Sequence, residues 1–418
     1  MARQPAHTVY GGAQLFRHDA ARKLGDVAES YLESYAPTPA DLARAIGVDL
    51  APDLLEAVHA RIRGKLAREP VEDFRIDFED GFGYRPEAEE DEAAARTAEE
   101  TAIGWAEGTL PPAIGIRIKP LAPEVAARGL RTLDLYLDRL LERSGGVLPD
   151  GFRVTLPKVY RAEQVAALAD ALEAFEREHG LPEGSLVLEI MIETPQALIS
   201  DDGTCPLRAF VAAGRGRCVG AHLGVYDFTA SAGITAEYQV MRHPICDMAR
   251  ETMLIALAGT GIMLSDGATN VLPVPRHRAA PDGPPLTDAE REENRASVHA
   301  AWRLHYDYIR HSLHYGYYQG WDLHPAQLVT RYAALYTFFL ESLDAASDRL
   351  GNFVDRAARA TLTGDVFDDA ATGQGLLNFF LRGLACGAIT EEEALGSGLT
   401  REEIETRSFA RILEGRAP

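Results

Sequence analysis

The stretch Leu186-Val-Leu-Glu-Ile-Met-Ile-Glu-Thr-Pro195 decides the fold class. Its apolar run is interrupted only by Glu189, and such a run is typical of a parallel strand that is buried on both faces. The run ends in a carboxylate, Glu193, followed by Thr194 and Pro195. Seven other short runs resemble it, and most are spaced roughly 30–45 residues apart. We predict strands over Thr8–Phe16, Phe74–Phe78, Ala113–Ile118, Phe152–Leu156, Leu186–Ile192, Cys218–Leu223, Ile262–Ser265 and Gly320–Leu323.

The gaps between these runs have room for a loop, a helix and a return loop. Eight strands that alternate with helices predict a (β/α)8 TIM barrel. Helical patterns over Ala20–Tyr35 and Pro39–Arg68 fill the first long gap, and helical patterning also follows the last strand. We predict a catalytic barrel over residues 1–343, with a helical insertion at about 17–73 and a proline-rich loop at about 271–290, and a C-terminal helical extension over residues 344–418.

The net charge, the apolar runs and the cysteines exclude several classes of function. The 42 basic and 63 acidic residues give a net charge of −21. A field of that sign repels polyphosphate, so we expect no binding to nucleic acid or to anionic membranes. No run of apolar residues is long enough to span a membrane. The four cysteines form no CxxC pair, which favours a reduced, cytoplasmic setting.

The residues that end the predicted strands point to the chemistry. In such barrels the working residues stand at the C-terminal ends of the strands. Carboxylates from separate strands, with positions left for water and substrate, suit Mg²⁺. Such an ion polarises the carbonyl of a keto acid, and a nearby guanidinium can hold an enolate oxygen or a carboxylate through two hydrogen bonds. The strand-end residues include Asp77, Glu79, Asp80, Arg117, Lys158, Glu193, Asp227, Asp266, Asp322 and His324.

Six motifs at these strand ends carry a family resemblance. In the same order, they resemble motifs of the citrate lyase β-subunit and malyl-CoA lyase-like aldolases, which are phosphoenolpyruvate/pyruvate-type TIM barrels that use Mg²⁺. The resemblance covers about residues 70–335. The motifs are Ile76-Asp-Phe-Glu-Asp-Gly81, Ile116-Arg-Ile-Lys-Pro120, Leu156-Pro-Lys-Val159, Ile190-Met-Ile-Glu-Thr-Pro195, Leu223-Gly-Val-Tyr-Asp-Phe-Thr229 and Leu323-His-Pro-Ala-Gln327.

The resemblance implies a role for each strand-end residue. Glu193 and Asp227 would be the metal ligands. Arg117 would bind the keto-acid carboxylate or the enolate, and Lys158 would lie nearby as a second catalytic residue. Glu79 and Asp80, which follow the second strand, would orient water molecules around the ion. The substrate-binding set is therefore Arg117, Glu79, Asp80 and Pro195.

A further aspartate lies in the predicted extension. In malyl-CoA lyase-like proteins, an aspartate in a C-terminal turn serves the active site of a neighbouring subunit. Val366-Phe-Asp368, after Gly364 and Asp365, is similar, although the proline that usually follows is missing. The resemblance thus implies that Asp368 is a catalytic acid or base and that the protein is a homo-oligomer.

These observations together predict a Mg²⁺-dependent carbon–carbon lyase or aldolase that works through the metal-bound enolate of a small keto or hydroxy acid. No CoA-binding pattern is recognisable, so the sequence leaves both a free acid and a CoA ester open. One alternative is other enolate chemistry on the same barrel, such as condensation or phosphoryl transfer. Another is a non-catalytic barrel that serves as a scaffold subunit, against which the combination of Glu193, Asp227 and Arg117 speaks.

Overall fold

Eight parallel strands form a closed barrel in the computed structural model, which describes residues 3–280, 283–360 and 370–416. The strands follow one another around the barrel in sequence order, and β8 pairs with β1 to close it. The predicted TIM barrel is therefore confirmed. The strands are β1 (His7–Gly12), β2 (Asp73–Asp77), β3 (Ala113–Arg117), β4 (Arg153–Leu156), β5 (Val187–Ile192), β6 (Cys218–Leu223), β7 (Met263–Ala268) and β8 (Gln319–Asp322).

Helices surround the barrel and continue beyond it. Between the strands lie α1 (Ala20–Tyr35), α2 (Pro39–Ile46), α3 (Pro52–Arg68), α4 (Glu87–Glu107), α5 (Ala126–Ser144), α6 (Ala162–His179), α7 (Leu207–Ala213), α8 (Val225–Ser231), α9 (Pro244–Leu257) and α10 (Asp288–His314). After β8 come α11 (Gln327–Leu340), α12 (Leu343–Ala360), α13 (Ala370–Cys386), α14 (Glu391–Leu395), α15 (Arg401–Thr406) and α16 (Phe409–Arg416).

Two sequence expectations about element ends are wrong. The first strand stops at Gly12 and is followed by a single 3₁₀ turn, Ala13–Leu15, which the Arg96 guanidinium holds by donating to the Ala13 carbonyl at 2.6 Å. The helical pattern predicted over Pro39–Arg68 is two helices, α2 and α3. The break follows from Gly47, whose φ of 75° ends α2 in the left-handed conformation.

A network of buried charged side chains lies inside the barrel. Arg75 on β2 pairs with Glu189 on β5 at 2.6 Å, and because these strands are not neighbours, the ion pair crosses the barrel interior. Glu189 also accepts hydrogen bonds from Arg153 at 2.8 Å and lies 3.1 Å from the His222 ring. Asp73 holds the other side of the Arg75 guanidinium. We call Asp73, Arg75, Arg153, Glu189 and His222 the interior network.

The helices after Leu343 pack against the outside of the barrel. Phe379 contacts Phe339 of α11 at 5.1 Å between ring centroids, and Glu393 forms an ion pair with Arg61 of α3 at 2.5 Å. Hydrophobic residues on both sides of residue 343 belong to one core, so the predicted domain division there stays a prediction. In the described ranges, every helix is too short or too polar to cross a membrane.

Candidate active site

Seven charged side chains meet at the C-terminal ends of the strands, and we call this set the mouth: Asp77, Glu79, Asp80, Arg117, Lys158, Glu193 and Asp227. Asp77 and Arg117 are register partners at the ends of β2 and β3. The Arg117 Nε donates to Asp77 Oδ1 at 2.7 Å, and its Nη2 donates to the other oxygen. Asp77 also accepts from the backbone N–H groups of Glu79 and Gly81 at 2.9 and 2.7 Å. It therefore orients Arg117 and shapes the turn after β2.

Arg117 is buried but remains charged. Burial alone would lower the pKa of its guanidinium, but Asp77, then Glu79 and Glu193, raise the pKa well above its usual value. Its Nη1 lies 3.2 Å from Glu79 Oε2, and the guanidinium sits 4.9 Å above the centre of the Tyr10 ring. Arg117 thus presents a fixed positive charge at the mouth.

Glu193 is a buried carboxylate in an unfavourable electrostatic position. One of its oxygens accepts the backbone N–H of Lys158 at 2.9 Å. The carboxylate fills the space beside Gly224, where a Cβ would lie only 2.5 Å from Glu193 Oε1, so this position requires glycine. Burial, together with the negative charges of Glu79 and Asp227, raises the pKa of Glu193 to about 8, although Arg117 and Lys158 oppose the shift.

The Lys158 ammonium lies among carboxylates that come from different strand ends. It contacts Glu79, Asp80 Oδ2 at 3.1 Å and Asp227 Oδ2 at 3.5 Å. Burial would lower the pKa of Lys158, but Glu79, Glu193 and Asp227 raise it above its usual value. Its backbone has a φ of 51°, a conformation that costs a non-glycine residue about 1–3 kcal/mol and that clusters at functional sites.

The other residues proposed from the sequence have different degrees of exposure. Asp227 lies in the first turn of α8 and is 40% exposed, and Asp80 is also exposed. Pro195 begins a single 3₁₀ turn, Pro195–Ala197, directly after Glu193 and is half-buried. Asp368 lies outside the described residues. The structure therefore brings together all the predicted polar mouth residues that it describes.

The donor set of the mouth fits a hard divalent cation. Five carboxylates face two cations, Arg117 and Lys158, so negative charge is in surplus. Glu79 Oε2 is buried and accepts no hydrogen bond from the described residues, although the positively charged Arg117 Nη1 lies 3.2 Å away. No group of three or more His, Cys, Asp or Glu side chains in the described ranges is arranged to hold one metal ion. Mg²⁺ suits such a place, because it typically takes one or two carboxylates and keeps several water molecules.

An aromatic floor beneath the charged residues was not predicted. The Tyr10 and Trp321 rings lie 4.4 Å apart and pack with Met191. The hydroxyl groups of Tyr10 and Thr194 are buried and have no hydrogen-bond partner among the residues that the structure describes. Strand alternation is the signal that could have found Met191, because a residue two positions before Glu193 faces the same side of the strand.

The His-Pro-Ala-Gln motif after β8 has a structural role. Gln327 accepts hydrogen bonds from the backbone N–H groups of Leu323 and His324 at 2.8 and 3.1 Å. Its amide donates to the Thr269 carbonyl after β7 at 2.9 Å. The His324 ring accepts the backbone N–H of Ala326 at 3.1 Å. The motif therefore ties the loops after β7 and β8 together at the mouth.

Comparisons with known proteins agree with this architecture. The sequence profile of a family described as "Domain of unknown function (DUF6986)" matches residues 1–412. The chain belongs to this family. A comparison with curated proteins finds no match.

Solved structures share the barrel at low sequence identity. A citrate lyase from Burkholderia xenovorans LB400 has a TM-score of 0.54 at 18% identity, covering 96% of this chain and 98% of that one. Malate synthase from Haloferax volcanii, in its lead(II) complex, has a TM-score of 0.50 at 18% identity, covering 100% and 98%. A native form of that synthase at 3 mM glyoxylate has a TM-score of 0.50 at 16% identity, covering 97% and 99%. The resemblance to a citrate lyase-like barrel is thus confirmed for the fold.

Proposed function

We propose that this protein is a Mg²⁺-dependent carbon–carbon lyase or aldolase that acts on a small keto or hydroxy acid. One observation carries the proposal: a barrel mouth with surplus carboxylates also holds a buried, permanently charged arginine. The fold that it shares with a citrate lyase and a malate synthase supports the same class of chemistry. A non-catalytic barrel that serves as a scaffold subunit would have no need for this arrangement of charges, which is costly in free energy.

Glu193 and Asp227 would hold the ion, with Glu79 and Asp80 oriented toward its water molecules. When bound, the ion would supply Lewis-acid polarisation of the substrate carbonyl. A divalent charge would also offset most of the negative surplus around Glu193. Binding requires the ionised carboxylate, so it would favour loss of the proton that the raised pKa of Glu193 retains.

Arg117 would stabilise the charge that develops during bond cleavage. When the carbon–carbon bond breaks, its electron pair stays on the carbon beside the carbonyl as an enolate, and the hydroxyl of the other fragment loses its proton to become a carbonyl. Asp77 holds two nitrogens of Arg117, so the guanidinium needs no reorganisation to meet the enolate oxygen or the substrate carboxylate. Asp368 is our sequence-based candidate for the proton acceptor.

A thermal unfolding experiment tests the metal site. We expect Mg²⁺ to raise the Tm of the wild-type protein and a chelator to reverse the shift, because an ion that binds only the folded state stabilises it. Glu193→Gln and Asp227→Asn should each lose the shift. Glu56→Gln, an exposed carboxylate on α3, is the matched control and should keep it. A shift of equal size in all four proteins, or none in the wild type, would refute the site.

An activity screen tests the reaction. Pyruvate with simple aldehydes, oxaloacetate, malyl-CoA and citramalyl-CoA would be incubated with the protein and Mg²⁺, and products followed by NMR. The expected result is Mg²⁺-dependent cleavage or formation of a carbon–carbon bond that Glu193→Gln abolishes. Turnover of only the CoA esters would identify a thioester lyase, and turnover of only the free acids an aldolase. A protein that binds Mg²⁺ but turns over none of these substrates would contradict the lyase proposal.

A further inference from the structure

The aromatic floor of the mouth belongs to a small apolar cluster whose buried members are separate from the main core. The members of this cluster are Met191, Ala268 and Trp321, with the half-buried Tyr10 and Tyr226 packed against them. Side chains two residues apart on a strand face the same side, so the order Glu189, Met191, Glu193 places the cluster between the interior network and the mouth. An apolar surface thus lies at the base of a site that is otherwise charged.

The polar groups of this cluster are already bonded or are buried. The Trp321 Nε1 donates to the His222 Nδ1 of the interior network at 3.3 Å. The Tyr226 hydroxyl donates to a backbone carbonyl at the end of β7 and accepts a backbone N–H just after that strand, both at 2.8 Å. The Tyr10 hydroxyl is buried. The surface that the cluster offers to a ligand at the mouth is therefore hydrocarbon.

Arg117 fixes where a bound acid would lie relative to the aromatic floor. Its guanidinium sits 4.9 Å above the centre of the Tyr10 ring, and its Nη1 donates to the Met191 sulfur at 3.7 Å. A thioether is a weak acceptor, whereas a carboxylate oxygen forms a short, charge-assisted hydrogen bond with a guanidinium. A bound acid would take over this donor from the sulfur, which brings its carbon chain against the floor.

The chemistry of the floor selects among keto acids. We propose that the acid that forms the enolate carries an alkyl group, and no hydroxyl, on the carbon beside its carbonyl. An alkyl group against the floor gains free energy by leaving water, whereas a hydroxyl there loses its bonds to water and finds no partner. This inference rests on the proposed function, because it places the acid on Arg117.

A matched pair of probes tests the proposal. 2-Oxobutyrate carries a methyl group where 3-hydroxypyruvate carries a hydroxyl, and the two acids are otherwise alike. The assay contains Mg²⁺ and no aldehyde, so ligand-observed NMR measures binding alone. We expect the wild-type protein to bind 2-oxobutyrate at least about tenfold more tightly than 3-hydroxypyruvate, since an apolar site discriminates to this extent against an added hydroxyl.

Two variants change the floor in different ways. Trp321→Gln replaces the largest ring by an amide, which is also a hydrogen-bond donor, and Ala268→Ser adds a single hydroxyl. Each should lower the ratio of the two affinities at least about threefold. Trp105→Gln, at a partly exposed position on α4, is the matched control and should keep the wild-type ratio. A variant that only loosens the fold weakens the binding of both acids alike and leaves the ratio unchanged.

The outcomes separate this inference from the proposed function. If Trp321→Gln does not fold, the Ala268→Ser result decides. Equal binding of the two acids by the wild type, tighter binding of 3-hydroxypyruvate, or an unchanged ratio in either variant that folds would overturn the inference. In those cases an acid still binds, so the proposed function stands. Binding of neither acid in the presence of Mg²⁺ would overturn both.

Discussion

Glu189 and Glu193 lie four residues apart on and just after β5, and both side chains are about 1% exposed. Burial would raise the pKa of each. For Glu189, Arg75, His222 and Arg153 overcome this effect and hold the pKa well below its usual value. For Glu193, nearby carboxylates add to the effect of burial, and the pKa rises to about 8.

Both carboxylates are equally buried, so the charges of their neighbours, and not burial, distinguish the structural Glu189 from Glu193 at the proposed active site. The interior network neutralises Glu189 within the protein. The mouth leaves Glu193 among like charges, an arrangement that weakens the fold and favours a cation. Proteins commonly give up stability in this way at functional sites.

Of the variants that test this comparison, we expect Glu189→Gln to have the largest effect, a loss in the free energy of unfolding. It leaves Arg75 and Arg153 without their shared carboxylate, and breaking a buried ion pair from one side costs about 3–5 kcal/mol. Urea unfolding would measure the loss in the free energy of unfolding. Glu193→Gln is the matched change at the mouth and should cause no such loss. Equal destabilisation by the two variants would remove the distinction between the two sites.

Arg117→Lys tests the mouth through activity. A lysine cannot reproduce the planar, two-point contact, and losing such an electrostatic contact costs roughly 100-fold in rate. The loss should appear mainly in kcat if Arg117 meets the enolate, and in KM if it only holds the ground-state carboxylate. Arg131→Lys, an exposed arginine paired with Asp91, serves as the control. Kinetics like those of the wild type would exclude either role.

Lys158→Met removes one of the two positive charges at the mouth and so increases its excess of negative charge. Its ammonium lies 3.5 Å from Asp227 Oδ2 and contacts Glu79, so it competes with an incoming cation. We expect the variant to bind Mg²⁺ roughly fivefold more tightly by calorimetry, because a repelling charge has been removed. Lys23→Met, at an exposed pair with Asp19, should leave the affinity unchanged. Weaker binding by Lys158→Met would show that the lysine supports the ion instead.

The stability of the metal-free protein should also depend on pH. The raised pKa of Glu193 means that its contribution to stability is fully present below about pH 4.3, the unfolded value, and is lost as pH rises to about 8. Glu193→Gln should remove this slope. In chelator, the variant should therefore gain stability relative to the wild type as the pH rises from about 5 to about 8. Parallel stability profiles for the two proteins between pH 5 and 9 would contradict the shift.

Much of the fold was determined by local sequence. The run before Glu193 is long enough for one buried strand and ends in polar residues. Both the strand and the position of Glu193 at its C-terminal end therefore follow from neighbouring residues alone. The order of such runs was enough to predict a barrel. Gly47 and Pro52 were visible signals for the break between α2 and α3, but helical periodicity over Pro39–Arg68 hid it.

Only the tertiary structure decided how the charges are paired. The pairing of β2 with β3 brings Arg117 beside Asp77, and the curvature of the barrel places the Lys158 ammonium between carboxylates from different strands and separates the partners of Glu189 from those of Glu193. Periodicity and turn chemistry act over a few residues, whereas a pKa depends on every charge within several ångströms, whichever strand supplies it.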